Sequence, residues 1–286
     1  MGKRATIDVD GTTAETTGCC KEGMDLNYKG QWGYGPLVVS LAETNEVLYT
    51  FNRPASRPSH EGAVAWIDRA VKLVRRGGFE QVRLRGDTDF SLTRNFDRWS
   101  EEGVEFVFGI EANRSFVREA DKIGEAQWQK LERKRKVVNS SRQRPENVKQ
   151  KVVRERGYKN LNLLSEHVTE IEYRPARAKG TYRMIILRKR IEVEKGQKRL
   201  FDQQRYLFYV TNVPVKELST QQVVLESNGR CNQENVIEQL KNGVQALRMP
   251  ADTLVANWTY MVIAAQAWNL KVGWACFCLQ DWGPDA

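Results

Sequence analysis

Two aspartates that close apolar runs, and one glutamate far downstream in a helix-forming segment, confine this chain to folds in which strand ends and a helix converge. Asp10 ends the run in ATIDVDGT (5–12) and Asp87 ends the run in QVRLRGDTDF (81–90). Each carboxylate therefore falls where a strand gives way to a loop. The third segment, SNGRCNQENVIEQLKNG (227–243), carries Arg230, Glu234 and Lys241 at intervals of four and then seven. At 3.6 residues per turn, that spacing puts all three side chains on roughly one face of a helix. An amphipathic helix with solvated charge pairs would show the same spacing. The two upstream aspartates favour a different use: a carboxylate held between fixed cations, suited to a metal ion beside a phosphate.

Hydropathy divides the rest of the chain into short elements. Strands are predicted over 5–10, 36–42 and 46–52, the last two joined as a hairpin through Glu43-Thr44-Asn45. A helix is predicted over 60–76, with Ser59 as its N-cap, His60 in a structural role and Ala63, Trp66, Ile67, Ala70, Val71 and Val74 on its apolar face. Gly77-Gly78 end it. Then follow a strand at 80–86, a helix near 93–102, a strand at 104–110 and a helix near 112–122. Two alternating runs, 181–193 and 199–211, read as a β-hairpin turning at Glu194-Lys195-Gly196-Gln197.

Charge points to the partner. The chain of 286 residues carries a net charge of +9, with an isoelectric point near 9.3, which favours a polyanion. Between 130 and 159 there are twelve Lys or Arg against three acids, Glu132, Glu146 and Glu155. Such a run is either a solvated face or a DNA-tracking surface, with Arg133, Lys134, Arg135 and Lys136 as its densest cluster. The five cysteines (Cys19, Cys20, Cys231, Cys276, Cys278) form no zinc-ligand spacing, and an odd count with no signal peptide predicts a cytoplasmic setting. The apolar stretch 258–278 contains Gln266, Asn269 and Lys271, so it is predicted to be a buried helix and not a membrane span.

The phrases DVDGT (8–12), YKGQWGYGPLVVSLAET (28–44), RPSHEGA (57–63), LRGDTDF (84–90) and NQENVIEQLKNGV (232–244) together resemble the DDE transposases of bacterial insertion sequences, specifically the thirteen-eighty group. Arg230, Glu234 and Lys241 match in register the superfamily signature Tyr-x2-Arg-x3-Glu-x6-Lys, whereas Ser227 stands where that signature has Tyr. The resemblance runs from about residue 6 to about residue 274. It implies a ribonuclease-H-like α/β core over 1–123 and 219–286, with a basic, β-rich insertion over 124–218 between the second Asp and the Glu. It implies strand cleavage and strand transfer on DNA with two Mg²⁺ or Mn²⁺ ions held by Asp10, Asp87 and Glu234. Asp10 would bridge the ions; it is preferred over Asp8 because the family's Asp-x-Thr matches Asp10-Gly11-Thr12, and Asp8, Asp89 and Glu238 stay open as substitutes.

The same resemblance gives Arg230 and Lys241 phosphate contacts, and lets Tyr206 stand either as an ordinary strand aromatic or as a base-stacking side chain. Transposon ends and target DNA would be the partners, with a homodimer in the synaptic complex and a nucleoid location. Because the core motif begins so near Met1, the alternative is a truncated transposase remnant, binding DNA without sequence preference and cutting weakly or not at all.

Overall fold

The computed structural model describes residues 4–18, 20–133, 148–195 and 198–280. β1 (Arg4–Gly11) alternates strictly: Ala5, Ile7 and Val9 enter one core, so Thr6, Asp8 and Asp10 face the other side of the sheet. After it, β2 (Ala14–Glu15), β3 (Asp25–Leu26) and β4 (Trp32–Tyr34) form a small separate sheet in the order β2-β4-β3. The chain then re-enters the main sheet with β5 (Leu37–Leu41) and β6 (Glu46–Phe51), antiparallel through the expected tight turn, where Asn45 adopts a positive φ of 62°.

α1 (Ala63–Arg76) buries Ala63, Ile67, Ala70, Val71 and Val74 against β1, β5 and β7, the predicted stripe except for Trp66, which lies half-buried at its edge against Tyr49 and Phe51 of β6. Its start differs from the prediction. The N-cap is Gly62 in the left-handed region, not Ser59. The cause is Arg53, only 5% exposed, whose Nη1 donates to the carbonyl oxygens of Pro58, Ser59 and Glu61. Those carbonyls are spent on a guanidinium, and the helix begins after them.

β7 (Gln81–Gly86), α2 (Phe96–Glu101), β8 (Val104–Ile110) and α3 (Arg114–Lys122) follow in the predicted order. Beyond β9 (Gln129–Lys130) and α4 (Val148–Glu155) come three long strands, β10 (Lys159–Tyr173), β11 (Tyr182–Lys195) and β12 (Lys198–Thr211). The main sheet has nine strands in the order β6-β5-β1-β7-β8-β12-β11-β10-β9. β1, β7 and β8 run parallel; β5 and β12 join them antiparallel on either side. The β-hairpin of the central stretch is thus a continuation of the core sheet, registered by Phe208 opposite Ile110 and Thr211 opposite Val107. Asp97 on α2 fastens it, accepting from Lys179 N, Gly180 N and the Tyr182 hydroxyl at 2.6, 2.8 and 2.7 Å.

Helices cover both faces. α1, α2 and α3 lie on the face with Ile7, Phe108 and Phe208. The opposite face receives α5 (Thr220–Gly229), α6 (Asn232–Glu238), a π-helical turn (Gln239–Gly243) and α7 (Leu254–Gln280). α5 starts on a capping box, Ser219 and Gln222 bonding each other's backbone.

The sequence predicts α7 as a buried helix; it is covered on one side only. Met261 and Ala265 pack inward, and the Trp258 and Trp268 indoles donate to Thr50 O and Asn45 O at 2.8 and 2.9 Å. Val255, Ile263 and Leu270 remain 65%, 65% and 75% exposed. Among the described residues, no helix is long and apolar enough to cross a membrane.

Candidate active site

Asp10 occupies the penultimate position of β1, on the face that the helices α5 and α6 cover. Its Oδ1 accepts from Gly11 N at 2.8 Å and its Oδ2 from Arg230 Nη1 at 3.1 Å. Burial pushes the Asp10 carboxyl up to about 6; the charges of Asp87 and Glu234 add to that rise, while Arg230 and the Gly11 amide oppose it. Asp87 from the end of β7 and Glu234 from α6 therefore both act on Asp10 at the carboxyl end of the parallel strands, the usual ligand position in open α/β sheets.

Asp87 follows β7 directly and caps a short 3₁₀ turn (Thr88–Phe90), its carboxylate accepting from Asp89 N at 3.0 Å. Burial raises its pKa against the pull of that amide and of Arg230. The turn is tight because the residue before it is glycine. A Cβ on Gly86 would lie 2.7 Å from the Phe90 Cβ and 3.2 Å from the Phe108 ring.

The segment 227–243 differs from the single straight helix that its spacing predicts. Around Arg230 the helix tightens: Arg230 N, Cys231 N, Gln233 N and Glu234 N donate three residues back, at 3.2, 3.0, 2.8 and 3.3 Å. It then widens into the π turn that bears Lys241. The cause of the first break lies beneath it. Arg85 comes up from β7 so closely that a Cβ on Gly229 would lie 2.5 Å from its Nη1. Arg230 is the residue this joint turns towards Asp10. Lys241 lines a polar cleft that opens at Gly11 and also includes Asp89.

Asp8, the neighbouring alternative to Asp10, is committed elsewhere. It is 1% exposed and accepts both Arg85 Nε and Nη2 at 2.7 Å. Arg85 Nη1 reaches on to the Glu226 carbonyl and carboxylate at 3.2 and 3.3 Å, joining β1, β7 and α5 through buried charge. Gln233, 1% exposed, performs a similar service for α6: it accepts from Ser40 Oγ and donates to Val38 O at 3.2 Å. Neither Arg85 nor Gln233 stands out in the sequence. The only signal for Arg85 was its place two residues before Asp87, on the strand face it shares with Asp87.

The other predicted contacts lie apart. Arg133 is ion-paired with Glu166, Nε to Oε2 at 2.6 Å and Nη2 to Oε1 at 2.9 Å. Lys134, Arg135 and Lys136 lie outside the described residues. Tyr206 shares a face of β12 with Phe208, opposite to the carboxylates, and its hydroxyl donates to Asp121 at 2.8 Å. Burial and that carboxylate push the phenol up to about 12.

Among the described residues, no three His, Cys, Asp or Glu side chains stand close enough together to hold one metal ion in this arrangement. Arg230 is the cation at Asp10 here. In donor chemistry Asp10, Asp87 and Glu234 suit a hard divalent ion, since they offer oxygen alone, and a cation there would oppose the burial and the neighbouring charges that raise the Asp10 pKa.

Residues 2–282 match the family described as Transposase DDE domain group 1. The chain belongs to that DDE transposase family. No curated protein matches the chain. Among solved structures, it is similar to the piggyBac transposase in a cryo-EM synaptic complex with hairpin DNA, at 12% identity and a TM-score of 0.47. That similarity covers 94% of this chain, which spans 46% of the length of the other.

Proposed function

We propose that this DDE transposase domain is the catalytic domain of an insertion-sequence transposase of the thirteen-eighty group, cleaving DNA strands and joining them to a target. The observation that carries the reading is the convergence on Asp10 of Arg230 and the charges of Asp87 and Glu234, within a chain of the DDE family. The strand order β6-β5-β1-β7-β8, with β1, β7 and β8 parallel, supports a ribonuclease-H-like core, to which residues 124–218 add further strands.

Asp10, Asp87 and Glu234 would hold two Mg²⁺ or Mn²⁺ ions, which supply Lewis-acid activation of water and of the leaving 3′ oxygen. The protein's own groups then do the positioning. Arg230, which sits at Asp10, would offer its guanidinium fork to a phosphate there. Lys241 places a point charge in the cleft beside it. Arg85 and Gln233 fix the strand-to-helix distances on which the alignment depends. DNA is the partner in this reading, with a homodimer in the synaptic complex and a cytoplasmic location.

Nicking of supercoiled plasmid in Mn²⁺ and in Mg²⁺ tests the reading. The wild-type protein should nick, and Glu234→Ala should not. Equal nicking by both would refute it.

A further inference from the structure

The small sheet between β1 and β5 holds its connecting turn with unusual economy. Asn27, only 6% exposed, uses its whole side chain there: Oδ1 accepts from Lys29 N and Gln31 N, both at 2.9 Å. Its Nδ2 donates to Gln31 Oε1 at 2.9 Å and to Thr13 Oγ1 at 3.3 Å, the latter in the loop that follows Asp10. Gly30, at φ 78°, closes the turn by donating to Asn27 O at 3.0 Å. This framework displays Tyr28, which is 91% exposed, with the Lys29 ammonium 5.3 Å from its ring centre.

Behind the turn lies a cleft of about 640 Å³ that begins at Gly11 and is walled by Lys29, Arg57 and Lys241, with Glu15 and Asp89 on its other sides. Arg57 is paired with Glu61 at 3.2 Å. Lys29 and Lys241 have no carboxylate partner among the described residues. An ordered, exposed aromatic ring beside two unpaired cations matches what an unpaired nucleic-acid strand requires: a platform for a base and charges for its phosphates.

We propose that Tyr28, Lys29 and Lys241 grip one DNA strand beside Asp10, with Tyr28 stacking on a base and the lysines taking phosphates. The grip rests on the transposase reading and assigns it a strand-positioning surface outside the carboxylates. The backbone of the turn is already fixed by Asn27, so little ordering is left for binding to supply.

Fluorescence anisotropy in EDTA reads binding without cleavage. The probes are a labelled oligothymidylate of about twenty nucleotides and an abasic strand of equal length. Wild-type protein should bind the thymidylate about tenfold more tightly than the abasic strand, as expected for one stacked base. Tyr28→Ala should erase that preference and Tyr28→Phe should keep it. Lys29→Ala with Lys241→Ala should weaken both strands alike and flatten the salt dependence. Equal wild-type affinity for the two strands, or an undiminished preference in Tyr28→Ala, would overturn the proposal, as would tighter binding of oligouridylate than of oligothymidylate. Plasmid nicking that depends on Glu234 is read separately, so the grip can fail while the transposase reading stands.

Discussion

Removing one charge at Asp10 should change how stability depends on pH. The folded carboxyl titrates near 6, against 3.8 for an unperturbed aspartate. A folded state that holds the proton more tightly than the unfolded chain gains stability at low pH. That gain is complete below about pH 4 and is lost as pH rises through 6. At about 1.4 kcal/mol per unit, the displacement amounts to about 3 kcal/mol. The side chain is only 16% exposed, so solvent screening takes little from this figure. Asp10→Asn cannot ionise and should lack the decline. Urea unfolding of both proteins in EDTA, from pH 4 to pH 7.5, measures the difference, and comparing the two removes the other titrating groups. The stability of Asp10→Asn relative to wild type should rise by about 2.5 kcal/mol across that interval, most of the full displacement. Parallel curves would refute the reasoning, because burial and the charges of Asp87 and Glu234 could then not be acting on this carboxyl.

Other outcomes follow from the same geometry. Asp8→Asn leaves Arg85 buried with half its partners and should cost about 3–5 kcal/mol in thermal or urea unfolding. The double variant Asp8→Asn/Arg85→Gln should cost less than the sum of the single ones. Gly86→Ala forces a Cβ against Phe90 and should cost about 1–3 kcal/mol, read by the same denaturation. Mn²⁺ at a hundredfold excess over its dissociation constant should stabilise the wild type by about 2.7 kcal/mol, and this gain should vanish in Asp10→Ala. DNA affinity should fall steeply with salt, with a log–log slope near −5 if about six phosphates are neutralised.

Much of the main sheet was legible because its strands are apolar runs that stop at polar residues. Asp10 and Asp87 mark two of those stops, and the alternation in β1 separates Ile7 from Asp8 without further information. Other features were not legible, the fifteen-residue strand β10 (Lys159–Tyr173) among them, and three have a plain tertiary cause. α1 starts late because a distant guanidinium, that of Arg53, collects the carbonyls of the would-be first turn. The helix over 227–243 breaks because Arg85 of another element occupies the space beside Gly229. The small sheet β2-β4-β3 consists of strands too short to leave a pattern, and depends on a close approach in which a Cβ on Gly33 would lie 2.1 Å from Ala14 O. Of the candidate site, Asp10, Asp87, Arg230 and Glu234 can be named from the sequence by position, whereas Arg85 and Gln233, which tie β1, β5 and β7 to the helices, look like any polar residues in a strand and a helix.

The pairing of β12 with β8 also governs when the candidate site can assemble during synthesis. β8 stays an open edge until the long excursion through β9, α4, β10 and β11 has been made and β12 returns to cover it. That is a contact of high sequence separation, slow to form and unavailable to a nascent chain. α5 packs on the surface which that closure completes, through Val223 and Val224 against Val107 and Tyr209, so the helical joint that carries Arg230 settles after it. A ribosome-bound fragment ending before β12 would hold Asp10 and Asp87 beside an uncovered β8 edge, without Arg230.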